Sequence, residues 1–278
     1  MTATRSLTLG LMAVSLGSVI PIVAQSTVVQ PTSGASSGGL EGWKLVWSDE
    51  FDGSAIDRSS WTFDLGGGGW GNGESEAYTD RPENARVEDG CLVIEARREK
   101  YMGSYYTSAR LKTAGLKNFG YGRIEARMKV PAGKGLWPAF WMLGSDFPQK
   151  GWPACGEIDI VECIGRDPDI VYGTAHGPGY SGSLGPQGRV VLDADVSQDF
   201  HVFAIERDKD HIRWLCDGAQ YFILSRGDQG ANEWVFDKDF SVILNLAVGG
   251  YWPGSVALDT PFPAKLLVDY VRAYERSE

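Results

Sequence analysis

CGEIDIVECIG, residues 155–165, sets Glu157, Asp159 and Glu162 among Ile158, Ile160, Val161 and Ile164. In a regular strand alternate side chains share a face, so Glu157 and Asp159 lie together and Glu162 points away. A helix scatters the three around its circumference. Two readings are open: an ordinary strand with acids on both sides, or a cluster with a hidden irregularity. The apolar residues between the acids imply at least one buried face, and three acids inside such a strand are costly unless chemistry uses them. A β-bulge around Ile160-Val161 resolves the parity, because one extra residue returns Glu162 to the face of the other two.

The surrounding chain reads as strand throughout. In GYGRIEARMKV (120–130), Ile124, Ala126, Met128 and Val130 alternate with Arg123, Glu125, Arg127 and Lys129. CLVIEARRE follows Asp89-Gly90 and AQYFIL follows Asp217-Gly218, both strong hairpin signals. HVFAIERD, HIRWLC, SVILNLAV and KLLVDYVRAYE add strands at short spacing, with no βαβ rhythm, long helical period or internal repeat. Many short strands with Gly and Pro turns predict an all-β fold, a β-sandwich jelly roll of two antiparallel sheets.

Residues 1–24 read as a signal peptide: MTATR is a short basic start, an apolar stretch follows, and small Ala24 precedes Gln25. An uncleaved anchor is the alternative. Residues 25–41 are rich in Ser, Thr and Gly and read as a flexible linker. The folded domain is expected over 42–278, long enough for one full core. Nothing downstream is apolar for long enough to span a bilayer. The expected location is extracellular, as a monomer with no membrane contact after cleavage. A net charge of −10 and a pI near 4.9 argue against nucleic acid or anionic membrane as partner. Export permits disulfides, and Cys91, Cys155, Cys163 and Cys216 suit two bridges or four free thiols equally well. No CxxC pair points to zinc or redox chemistry.

With the bulge, Glu157 and Glu162 are effectively four positions apart on one face, about 13 Å between Cα atoms. Side chains leaning together would bring the carboxyl groups to about 5 Å, the separation of retaining glycosidases, whereas inverting ones need about 6.5–9.5 Å. One Glu must be ionised to attack and the other must hold a proton. Asp159 between them could share a proton with the nucleophile, and crowding would raise at least one of the three pKa values.

GEIDIVE resembles the signature of glycoside hydrolase family 16, in the longer form that carries the extra residue and is typical of bacterial endo-β-1,3-glucanases (laminarinases). VWSDEFDG (46–53), WGNGESEAYTDRPENARVEDG (70–90), GLWPAFWML (135–143), YGTAHGPGYSG (172–182), LNLAVGGYWPG (244–254) and VDYVRAYE (268–275) resemble the family in the same order. The resemblance implies a concanavalin A-like jelly roll with a cleft across its concave sheet, and a β-glucan polysaccharide as substrate. It implies Glu157 as nucleophile, Asp159 as its supporting acid and Glu162 as acid/base, with no cofactor for catalysis. Trp137 and Trp141 would line subsites, His176 would sit beside the catalytic face, and Asn72, Arg81 and Trp252 would contact glucose units. A structural Ca²⁺ is also implied, on the Glu50 backbone, the Gly90 backbone and the Asp269 side chain, since hard oxygen ligands suit it.

Taken alone, several of these residues have plainer readings. Trp137 and Trp141 lie four apart in an apolar run that suits a core, His176 suits a loop edge, and Arg81 suits a turn salt bridge. The Gly66–Gly69 run lacks the Lys and Ser/Thr of a phosphate loop and reads as a flexible loop over the cleft. Three positions depart from the family pattern: Tyr251 for Asn, Arg207 for Trp, and Cys163 for Tyr or Asn after the proposed acid. Alternative activities are mixed-linkage β-1,3-1,4-glucan hydrolysis and non-catalytic β-glucan binding.

Overall fold

A computed structural model describes residues 27–28 and 40–277. The expected signal peptide lies outside the described residues. Within the expected linker, Thr27–Val28 form a short strand parallel to Gln187–Val191.

Two sheets pack face to face, and the one α-helix among the described residues is the single turn Phe147–Lys150. The first sheet has eight strands in the order Thr27–Val28, Gln187–Val191, Ile170–His176, Glu157–Glu162, Leu136–Gly144, Phe240–Val248, Arg110–Lys112 and Thr62–Asp64. The second is centred on Gly122–Lys129 and Ala264–Arg276, with His201–Arg207, His211–Cys216 and Ala219–Ser225 on one side and Cys91–Tyr101 on the other. Neighbouring pairs within the body of each sheet are antiparallel. No described helix is long and apolar enough to cross a membrane.

Both Asp-Gly hairpins form. Glu88 pairs with Cys91 and Cys216 with Ala219, leaving two-residue turns in which each Asp and Gly has positive φ. Glycine adopts that conformation without penalty and Asp tolerates it, which is why these dipeptides close the turns.

Along the regular strands the core between the sheets takes one side chain in two. Ile124, Ala126 and Met128 of the second sheet join Phe140, Met142 and Ile158 of the first, all buried. The outward face of Gly122–Lys129 differs from a simple solvent face. Arg123 and Glu125 are buried there, paired at 2.8 Å, with Glu206 on the guanidinium and the Tyr274 hydroxyl on the carboxylate.

All four cysteines are free, and Cys155, Cys163 and Cys216 are buried. Cys163 packs into the core between the sheets, where burial raises its thiol pKa far above the usual range.

Arg207 does more than fill the space of a Trp. Its guanidinium is buried and donates to the carbonyls of Phe119, Gly120, Phe236 and Lys238 at 2.6–2.9 Å. It thereby joins two loop segments to the end of its own strand. Arg207→Met should strand those acceptors and lower stability by about 3 kcal/mol or more, a Tm fall of roughly 6–12 °C by calorimetry. A fall under about 2 °C would show that the carbonyls find other donors.

Candidate active site

The parity of residues 157–162 is resolved by one bulge. Trp141 opposes Asp159 and Phe140 opposes Val161, so Ile160 has no partner on that side. On the other side Asp159 opposes Thr174 and Glu162 opposes Tyr172, leaving Ile160 and Val161 facing the single residue Gly173. Glu157 and Glu162 pair with Leu143 and Ala139, which are four steps apart on the regular strand beside them. The three acids thus face one cleft and the isoleucines face the core.

The cleft holds about 850 Å³ and crosses the first sheet on the side away from the core. Glu157, Asp159 and Glu162 line its floor with Trp137 and Trp141, flanked by Asn245 and Arg110 from neighbouring strands. Trp137 donates its indole N–H to Glu162 Oε1 at 3.0 Å. Trp141 donates to Asn245 Oδ1 at 2.7 Å and carries the Arg110 guanidinium on its face. The His176 imidazole is set by its register position opposite Glu157, with Nε2 3.2 Å from Asp159 Oδ2 and 3.6 Å from Glu157 Oε1.

Burial raises all three carboxyl pKa values, and repulsion adds to it for Glu157 and Glu162. The counteracting influences differ. His176 and Arg110 favour the ionised form of Glu157, and His176, Trp137 and Thr174 favour that of Glu162. For Asp159 the cause is desolvation alone, and all three carboxyls are pushed up to about 8. Acid-and-nucleophile chemistry requires one of these crowded carboxyls to ionise while another keeps its proton, and their coupling allows the protons to be shared out among them.

The remaining expected residues fall into three groups. Asn72 lines the cleft, its amide on Glu74 Oε1 at 3.1 Å. Trp252 packs edge-on against Trp137 and Tyr172 at ring separations of 5.5 and 5.1 Å, and is not among the residues that line the cleft. Arg81 lies outside the cleft lining. Its guanidinium is held by Glu99 and Asn84 and stacks on Tyr101, the turn salt bridge of the plainer reading. Tyr251 is 85% exposed, with its ring against Gly73 and its N–H on the Asn72 carbonyl. Sequence reasoning missed Trp70 and Trp152, which also line the cleft. Trp70 sits among glycines with its ring near Tyr78 and Arg110, and Trp152 lies 6.2 Å from His176. An aromatic residue inside a glycine-rich loop was the available signal for Trp70.

Among the described residues, two clusters bring metal-binding atom types together. The ligand atoms of Glu157, Asp159 and His176 lie within 4.8 Å of one another, as do those of His201, Cys216 and Asp217. The first sits in surroundings that favour protonated carboxyls. In the second, Asp217 already takes His201 Nδ1 at 2.7 Å and the Val202 N–H at 2.8 Å, closing the hairpin. For the expected calcium site, the strand register brings the ends near Glu50, Gly90 and Asp269 together, since Val271 pairs with Asp49 and Val268 with Leu92. One oxygen of Asp269, Oδ2, is taken by Arg127 at 2.8 Å, and the Glu50 carboxylate is taken by Arg272.

A jelly roll whose concave sheet carries a cleft lined by Trp and three clustered acids defines a carbohydrate-cleaving class of protein. The family model described as "Glycosyl hydrolases family 16" matches residues 72–272, and the chain belongs to that family. It is 47% identical over 243 residues to a beta-glucanase of Rhodothermus marinus, covering 84% of this chain and 85% of that one. Among solved structures, the endo-beta-1,3-glucanase of Pyrococcus furiosus is 50% identical with a TM-score of 0.82, covering 85% of this chain and 95% of that one. The laminarinase catalytic domain of Thermotoga maritima is also 50% identical with a TM-score of 0.82, covering 86% and 100%.

The raised acids make stability depend on pH. Glu162 ionises near 4.5 when unfolded but near 8 in the fold, so between those values the native state holds the extra proton. Stability therefore falls as pH rises through that window. Glu162→Gln should flatten the fall, giving a Tm above wild type at the upper end of that window but not below it. Parallel Tm curves for the two proteins would contradict the raised pKa.

Proposed function

We propose that this chain is a secreted, retaining endo-β-1,3-glucanase that hydrolyses laminarin-type β-glucans by double displacement. The observation that carries the reading is the Ile160 bulge, which gathers Glu157, Asp159 and Glu162 on the cleft floor. The names of the relatives and the solved structures support β-1,3-glucan as the substrate class.

Glu157 attacks the anomeric carbon while Glu162 passes its proton to the leaving glycosidic oxygen. Trp137, on Glu162 Oε1, leaves the other oxygen to carry that proton. The resulting glycosyl-enzyme is opened by water, from which Glu162 now removes a proton, and the β configuration is restored. Asp159, held protonated beside His176, orients Glu157 and relieves charge as the ester forms. Trp141 and Trp137 offer indole faces to sugar rings along the cleft.

Mixed-linkage activity is the second reading, supported by solved structures 37–38% identical to this chain that are described as non-specific endo-beta-1,3(4)-glucanases. A structural Ca²⁺ at Glu50, Gly90 and Asp269 and a monomeric extracellular state are parts of the same proposal. The register supports the calcium site by bringing its three segments together.

Product analysis on laminarin beside barley mixed-linkage glucan tests the substrate. Early release of several oligosaccharide lengths from laminarin is expected, whereas glucose alone, or activity confined to barley glucan, would refute the assignment. For the roles, Glu157→Gln should lower kcat by about 10⁴-fold or more while retaining laminarin binding. Turnover within about tenfold of wild type would remove Glu157 from the nucleophile's place.

A further inference from the structure

The bulge in the catalytic strand is met by a second bulge in the opposite sheet. Trp214 pairs with Phe222 and Leu215 with Gln220, so Tyr221 is an extra residue in its strand. Trp214 and Tyr221 are both buried and both reach the catalytic strand from behind. The Trp214 indole N–H donates to the Asp159 carbonyl at 2.8 Å, and the Tyr221 hydroxyl donates to the Ile160 carbonyl at 3.5 Å. These are the backbone oxygens at the point where the ladder breaks register.

A notch in the first sheet admits them. Gly173, the residue facing the bulge, pairs with Gly188 on the next strand. A Cβ on Gly173 would lie 2.4 Å from Trp214 Cδ1 and 2.6 Å from the Tyr221 hydroxyl oxygen. One on Gly188 would lie 2.3 Å from Phe222 Cβ. The neighbouring glycines thus clear a window that three aromatic residues of the opposite hairpin fill, and Trp214 and Phe222 contact each other there at 4.7 Å.

We propose that Trp214 and Tyr221 are positioning residues for catalysis: seated in the Gly173–Gly188 notch, they hold the bulge from behind and so fix the spacing of Glu157, Asp159 and Glu162. A bulge tethered by ladder bonds alone can shift its extra residue, whereas a rigid indole on the Asp159 carbonyl anchors the middle acid directly. The effect reaches substrate through the acids, since neither aromatic residue lines the cleft. This inference rests on the glycosidase reading given above.

Trp214→Phe keeps an aromatic ring in the notch and removes the N–H, and Tyr221→Phe removes only the hydroxyl. With the β-glucan that wild type cleaves best, Trp214→Phe should lower kcat by about tenfold to a hundredfold with KM within about twofold. Its pH–rate profile should also shift, because the carboxyl spacing changes. Tyr221→Phe should change both in the same direction by a smaller factor, matching its longer hydrogen bond. Wild-type kcat and pH profile in Trp214→Phe, whatever its Tm, would overturn the proposal. If Trp214→Phe does not fold, a wild-type kcat and pH profile in Tyr221→Phe overturns it instead. Wild-type protein that cleaves no β-glucan would refute the glycosidase reading and is thereby distinguished from failure of the positioning role.

Discussion

The arrangement of the site depends on one unpaired residue. Ile160 breaks the alternation of the catalytic strand, and without it Glu162 would point into the core among Phe140, Met142 and Ile158. An ionisable group there would meet no partner, which is why the irregularity is required and not incidental. The neighbouring strands absorb the break differently. Leu136–Gly144 stays regular along Phe240–Val248, so the Trp residues remain in step across the cleft. Ile170–His176 accommodates the extra residue opposite Gly173, where a side chain would collide with Trp214.

Electrostatics follow from the same placement. Three acids in one apolar setting cannot all ionise, so protons stay on the site well above the usual carboxyl range. Cations and donors beside Glu157 and Glu162 favour their ionised forms, but burial outweighs them in all three groups. The cleft wall is tied to this floor by a continuous chain of hydrogen bonds, from Trp141 through Asn245 and Tyr78 to Glu74 and Asn72. The tryptophans are therefore held at the cleft surface by polar anchors and are not simply half-buried core.

Local pattern made the strands, both Asp-Gly hairpins and the bulge legible, because alternation and turn chemistry act between near neighbours. The parity of Glu157, Asp159 and Glu162 carried the site itself. Long-range partners were hidden. Arg81 sits in a motif resembling a cleft segment, and Asn84 lies within its own turn, but Glu99, which takes its guanidinium, is eighteen residues away in the strand Cys91–Tyr101. Arg207 stood out only as a departure from the family pattern, and its four carbonyl partners are brought together by tertiary contact. Trp214 was not singled out within HIRWLC, since nothing local shows that its N–H meets the Asp159 carbonyl. The alternation of Arg123 and Glu125 suggested an outer face, and the buried network with Glu206 and Tyr274 depends on neighbours from two other strands.

The central claim is that the bulge brings Glu157 and Glu162 to the spacing of a double-displacement enzyme. Proton NMR of the anomeric signals during the first minutes of laminarin hydrolysis tests it most directly, before mutarotation mixes the products. The β-anomer of the new reducing end should appear first and the α-anomer only later. Initial appearance of the α-anomer would mean direct attack by water across a wider gap, and would contradict the account.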